Sequence, residues 1–168
     1  MWFLTRVKRQ ALRADSLLYR YQLSGDYTDC FFIQLRKPVS QSELIQAFYC
    51  TWLFKLERYI LAFFVKRPSA DQDATEIANA TRTTFSAWEV EEQTTEQLLM
   101  CDFEGRTRHW LMAESSDNQS TLYFGSAVIK GGPNQSRLAR LVFGLLGSFH
   151  ILYSRLLLAA AARKLAKS

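Results

Sequence analysis

The chain has 168 residues, 48% of them hydrophobic and 22% charged, with a net charge of +5. That length fits one domain, 1–168, with a sizeable core. Only three Pro and seven Gly exclude a disordered or fibrous chain. Twelve Phe, seven Tyr and four Trp supply large side chains that can wall a core or a cavity.

Charge is unevenly placed. Nine of the sixteen acids lie between Asp71 and Glu104, whereas from Lys130 onward there are seven Lys/Arg and no acid. Arg6, Lys8, Arg9 and Arg13 make residues 1–13 a basic N-terminal extension. No groove-reading motif accompanies this charge, so no nucleic-acid partner is expected. A solvated face explains it, with weak association to an anionic membrane as the alternative. Cys30, Cys50 and Cys101 are far apart and form no CxxC pair. They read as free buried thiols in a reducing compartment. "MWFLTRVKRQ" places its few apolar residues before its charges, the reverse of a secretory signal. The expected localisation is cytoplasmic.

In chain order, "ADSLLYRYQL" alternates, with Leu17, Tyr19, Tyr21 and Leu23 on one face, and predicts a half-buried strand. "SGD" turns the chain, and "DCFFIQL" predicts a second, more central strand. After Pro38, Ser40 and Glu43 have capping-box spacing. The helical pattern that follows, over 41–66, is either one deeply packed helix or two joined by a bend near Thr51. Residues 68–84 predict a polar surface loop with room for one helical turn.

A meander of strands comes next. "FSAWEVEEQ" leads into "EQLLMCDF" and "RHWLMAE", which flank a turn with Gly105 available for positive φ; "STLYFGSAVIK" follows. "GGPNQS" breaks the pattern. A long helix is then predicted from 137 to about 164, roughly 43 Å in length. Only fourteen uncharged residues separate Arg140 from Arg155, short of the about twenty that a bilayer span needs. The helix is therefore expected to lie across the sheet. Leu141, Leu145, Phe149, Leu152 and Leu156 should face the sheet, and Arg155, Arg163 and Lys164 should lie near solvent. No GxGxxG, P-loop, nucleophile elbow or HExxH is present.

Strand, helical segment, antiparallel meander, long last helix: this α+β order resembles the helix-grip fold of the START and birch-pollen-allergen-like superfamily (SRPBCC). More narrowly, the chain is similar to a bacterial family of unknown function within it, often found behind Rossmann-type NAD(P)-binding domains. "YTDCFFIQL" resembles that family's opening strand with its aspartate, here Asp29. "LLMCDFEGRTRHWLMA" resembles its hairpin, with His109 and Trp110 at the start of the second strand. "GSFHILYSRLLLAAAAR" resembles its closing helix, with Phe149, His150 and Arg155 in place and Ser148 where proline is usual. The resemblance implies a curved sheet wrapped around the last helix and a cavity between them.

His109 and His150 are the only histidines, and both fall in these motifs. Imidazole can move a proton near neutrality. No carboxylate is placed by sequence to orient either ring, so each is expected to be satisfied by backbone or by Tyr153. No metal site is expected, since Asp29 or Asp102 as a third ligand would be a guess. The expected function is non-catalytic binding of a small apolar or amphipathic molecule, as carrier or sensor. His109, Leu111, Phe124, Phe149, His150 and Tyr153 are the expected ligand-binding residues, and no cofactor is expected. Gly144 and Gly147 agree with close approach or room inside the last helix. Two alternatives stay open: a cyclase- or hydratase-type enzyme using His109 or His150 as acid–base, and a peripheral membrane or partner binder using the basic end "RKLAKS". A homodimer through "SLLYRYQL" or the 41–66 helix is a further expectation.

Overall fold

The structure is a computed structural model that describes residues 6–56, 59, 69–130 and 137–167, without the side chains of 137–148. The described elements are β1 (Lys8–Arg9), α1 (Tyr19–Leu23), β2 (Tyr27–Leu35), α2 (Gln41–Tyr49) and α3 (Asp71–Ala78). They continue with β3 (Thr84–Phe85), β4 (Trp88–Gln93), β5 (Gln97–Asp102), β6 (Thr107–Ser115), β7 (Ser120–Val128) and α4 (Arg137–Leu165). One antiparallel sheet has the order β1-β2-β7-β6-β5-β4-β3. Its centre is regular: β2 pairs with β7 from Tyr27↔Val128 to Leu35↔Ser120, and β6 with β7 from Thr107↔Val128 to Ser115↔Ser120. With the long final helix and the helices between early strands, this is the α+β helix-grip arrangement.

The pleat sends alternate residues to opposite faces. Phe31, Ile33, Leu98, Met100, Leu111, Leu122 and Phe124 share one core with α2, α3 and α4. Cys30, Leu99, Trp110, Met112, Tyr123 and Ala127 share a second with Leu18, Leu12, Leu17 and Tyr21. Side chains such as Phe31 and Phe48, wholly removed from water, each contribute about 1.5–3 kcal/mol relative to exposure.

Local signals account for several elements. Ser40 accepts from the Glu43 N–H while the Glu43 carboxylate accepts from the Ser40 N–H, starting α2. α2 ends at Tyr49, Thr51 is a bend, and 52–56 is helical again, which is the two-helix alternative. Gly105 has φ +70 in the β5–β6 turn, where Asp102 accepts from Arg106 N–H and Thr107 Oγ1–H. Asp102 is thus a turn residue.

Three expectations fail. "SLLYRYQL" is not an alternating strand: Tyr19–Leu23 is helical, and Leu17, Leu18 and Tyr21 pack over the second face of the sheet. Their spacing of three and four fits a helix as well as alternation fits a strand. The 68–84 stretch holds the two-turn helix α3, whose Ala74 and Ile77 are buried and whose Asp73 carboxylate accepts from Ala70 N–H. Two apolar residues three apart suffice to dock it. Finally, α4 presents a different side from the one expected. Phe149 is 60% exposed, Leu152 46% and Leu156 36%, whereas Ser154, Leu157, Leu158, Ala161, Ala162 and Leu165 are buried. The helix is apolar nearly all round, so periodicity alone leaves its phase open. The buried side carries small residues that let backbone approach backbone. Leu141, Leu145, Gly144 and Gly147 lie outside the residues with described side chains. Arg163 and Lys164 are exposed, and half-buried Arg155 donates to the Val7 carbonyl. Among the described residues, no helix is long and apolar enough to cross a membrane.

Candidate functional site

The register lines up a row of residues across five strands on the helix side of the sheet. Val90 pairs with Met100, Met100 with His109, His109 with Ser126, and Ser126 with Asp29. Three members of that row are polar, and all three are buried: Asp29, Ser126 and His109. Their neighbours along the same face, Phe31, Leu111 and Phe124, are apolar.

Asp29 and Ser126 form one unit. The Ser126 N–H and hydroxyl both donate to Asp29 Oδ1, at 3.0 and 2.6 Å. The Tyr27 hydroxyl donates to Asp29 Oδ2 at 3.2 Å. α4 brings His150 onto this unit: its Nε2 lies 2.7 Å from Ser126 Oγ and 3.4 Å from Asp29 Oδ2. The Asp29 side chain is fully buried, while that of His150 is 34% exposed. A carboxylate therefore does stand behind one of the histidines. The serine has one hydroxyl proton, and the charged acceptor at 2.6 Å takes it. The Ser126 oxygen must then accept from His150, so Nε2 carries the ring proton. Nδ1 is left as a bare acceptor, with no partner among the described residues.

His109 has a different environment. Its Nε2 is hydrogen-bonded to the Tyr49 hydroxyl at 2.5 Å, and the Trp88 ring stands edge-on at 4.2 Å. Burial without a countercharge pushes its pKa down to about 3, so the ring is neutral near pH 7. It is therefore not an imidazolium acid at that pH, and burial makes it a weak base. Both histidines were expected to be held by backbone or by Tyr153; Tyr49 and Ser126 hold them instead.

The other expected binding residues divide. Leu111 and Phe124 lie buried on the helix-side face, with Phe124 stacked on Phe48 at 5.0 Å. Tyr153 is half-buried against the core, and its ring stacks on Phe149 at 6.1 Å. Phe149 is on the exposed side of α4, so it does not join the others. None of the three cysteines forms a disulfide among the described residues, and burial pushes Cys30 up to about 12 and raises Cys101, away from the nucleophilic thiolate.

Two buried hydrogen-bonding atoms in this layer have no partner among the described residues: Trp88 Nε1 and Ser154 Oγ. Trp88 packs against the helix-side core beside His109. Ser154 is 1% exposed and follows His150 by one helical turn. Sequence reasoning missed Ser126, Tyr49 and Ser154. The available signal was a polar residue at an inward position of an otherwise apolar strand, Ser126 after Leu122 and Phe124.

No family model matches the chain, and no curated protein matches it. Among solved structures it is similar to CalU16 from Micromonospora echinospora, at 10% identity and a TM-score of 0.33, over 94% of this chain and 90% of that chain. A likeness at that level carries nothing about function.

Proposed function

We propose that the protein binds a small, largely apolar molecule between the helix-side face of the sheet and α4, as a carrier or sensor. Ligand sites combine apolar walls with a few convergent polar groups. The supporting observation is the row Asp29, Ser126, His109 on an apolar face, with His150 reaching it from α4. Trp88 Nε1 and Ser154 Oγ add to it, because buried polar atoms without partners are rare in folded proteins. Leu111, Phe124 and half-buried Tyr153 supply apolar wall. Phe149 is left out.

The test is native mass spectrometry of protein purified from its own host, followed by denaturation and analysis of what is released. A stoichiometric small molecule is expected. Protein of bare polypeptide mass, together with no thermal shift across a panel of apolar compounds, would count against binding.

A second reading is favoured by one observation, the Asp29–Ser126–His150 chain. A half-exposed imidazole with its Nε2–H held toward a buried carboxylate has its Nδ1 lone pair ready to take a proton. His150 is therefore the residue through which an acid–base activity would run, and His109 is not. Product formation that survives His150→Gln at wild-type rate would remove this reading.

A further inference from the structure

We infer that the ligand presents a neutral hydroxyl to α4, and that an ionised carboxylate is rejected. This rests on the binding reading above and specifies the chemistry of its polar end. The hydrogen bonds of this cluster run in one direction. Asp29 fixes the Ser126 proton, Ser126 fixes the His150 tautomer, and Nδ1 of His150 is left as an acceptor. A molecule meeting that atom must bring a donor.

Ser154 supplies the complementary requirement. Its hydroxyl is buried and without a partner among the described residues. Residues four apart on a helix have Cβ atoms about 5–6 Å apart, so one oxygen can lie within hydrogen-bond reach of both side chains. A ligand hydroxyl donates to His150 Nδ1 and accepts from Ser154 Oγ. A carboxylate has no proton for Nδ1, and it would add a negative charge beside the buried carboxylate of Asp29. The titratable groups bonded into this cluster are Asp29, which faces His150, and Tyr27, which donates to Asp29, both from β2. A protonated amine satisfies Nδ1 but leaves the Ser154 proton without an acceptor.

The experiment uses the full chain and a fluorescent apolar reporter, N-phenyl-1-naphthylamine. At pH 8 the reporter is displaced with 1-decanol, decanoate or decylamine, which share one chain length. Decanol is expected to displace it at a concentration at least about tenfold lower than decanoate, with decylamine between them. In Ser154→Ala, with each displacement corrected for that variant's own reporter affinity, the advantage of decanol over decylamine should disappear. Decanoate displacing as well as decanol, or a decanol advantage untouched by Ser154→Ala, overturns the inference while leaving the binding reading standing. No saturable reporter binding and no thermal shift with any of the three compounds overturns both. Matching circular dichroism of the variant and the parent keeps misfolding from imitating any of these results.

Discussion

The Tyr49 hydroxyl and the His109 ring meet at 2.5 Å inside the core, joining α2 to β6. Phe48, Trp88 and Phe124 surround the pair, so no water replaces a lost partner. Tyr49→Phe should therefore cost about 1–3 kcal/mol by leaving the ring nitrogen unsatisfied, measured by urea denaturation. The same ring makes stability depend on pH. Its folded value of about 3 lies below the 6.5 of an ordinary histidine, so the unfolded chain takes up the proton first. The contribution is whole above about pH 6.5 and is lost as pH falls from there toward 3, by up to about 1.4 kcal/mol per unit. A His109→Gln variant should show a flatter profile over that window; an unchanged slope would contradict a neutral buried ring.

The hydrogen-bond chain through Ser126 predicts the tautomer of His150. Nitrogen NMR at pH 8 should find Nε2 protonated in the parent protein. Ser126→Ala removes the atom that accepts this proton, and the population with Nδ1 protonated should rise. Wild-type Nδ1 already carrying the proton would mean that the Ser126 hydroxyl points at the ring and away from Asp29.

The two sides of α4 should respond oppositely to truncation. Leu158 is fully buried, so Leu158→Ala should cost about 2–5 kcal/mol. Leu152 is 46% exposed, and Leu152→Ala should cost under about 1 kcal/mol. Thermal unfolding of both variants checks the phase of the helix directly. Equal losses would show that the stripe Phe149, Leu152 and Leu156 is covered in solution.

Gly125 lies in β7 beside Ser126 and faces the second core. A Cβ there would stand 2.8 Å from the Asp29 carbonyl oxygen, 2.9 Å from Leu18 Cδ2 and 3.1 Å from the Trp110 ring. Leu18 can rotate away, but the carbonyl belongs to a strand. Gly125→Ala should therefore destabilise the fold and disturb the Asp29–Ser126 contact from the opposite face of the sheet. A loss of reporter affinity larger in Gly125→Ala than in Leu18→Ala would show it.

What was legible in the sequence was local. The Ser40–Glu43 capping box, the Gly105 turn and the extent of the last helix each depend on residues within a few positions of one another. The phase of α4 was not legible, because a helix apolar nearly all round offers no contrast for periodicity to read. The short stretch 17–23 failed for the related reason that strand and helix patterns coincide over so few residues. Asp29 and His150 stood out by resemblance to known motifs, yet their meeting did not. It requires β2 and β7, 97 residues apart at the Asp29–Ser126 contact, to pair in one particular register. A slip by one residue would turn Ser126 to the other face.

Division of the polar cluster between two bodies has a kinetic consequence. Asp29 and Ser126 belong to the sheet and keep their contact whenever β2 and β7 are paired, whereas His150 joins them only while α4 is seated. Local openings that lift the helix therefore dismantle the site without melting the sheet. Any molecule that bridges His150, Ser154 and the strands must suppress those openings in proportion to its affinity. Amide exchange along residues 150–165 then becomes a meter of occupancy, slowing with each bound compound while exchange in β2 and β7 stays at its own rate. Compounds can thus be ranked on this protein before any reaction or cargo is known.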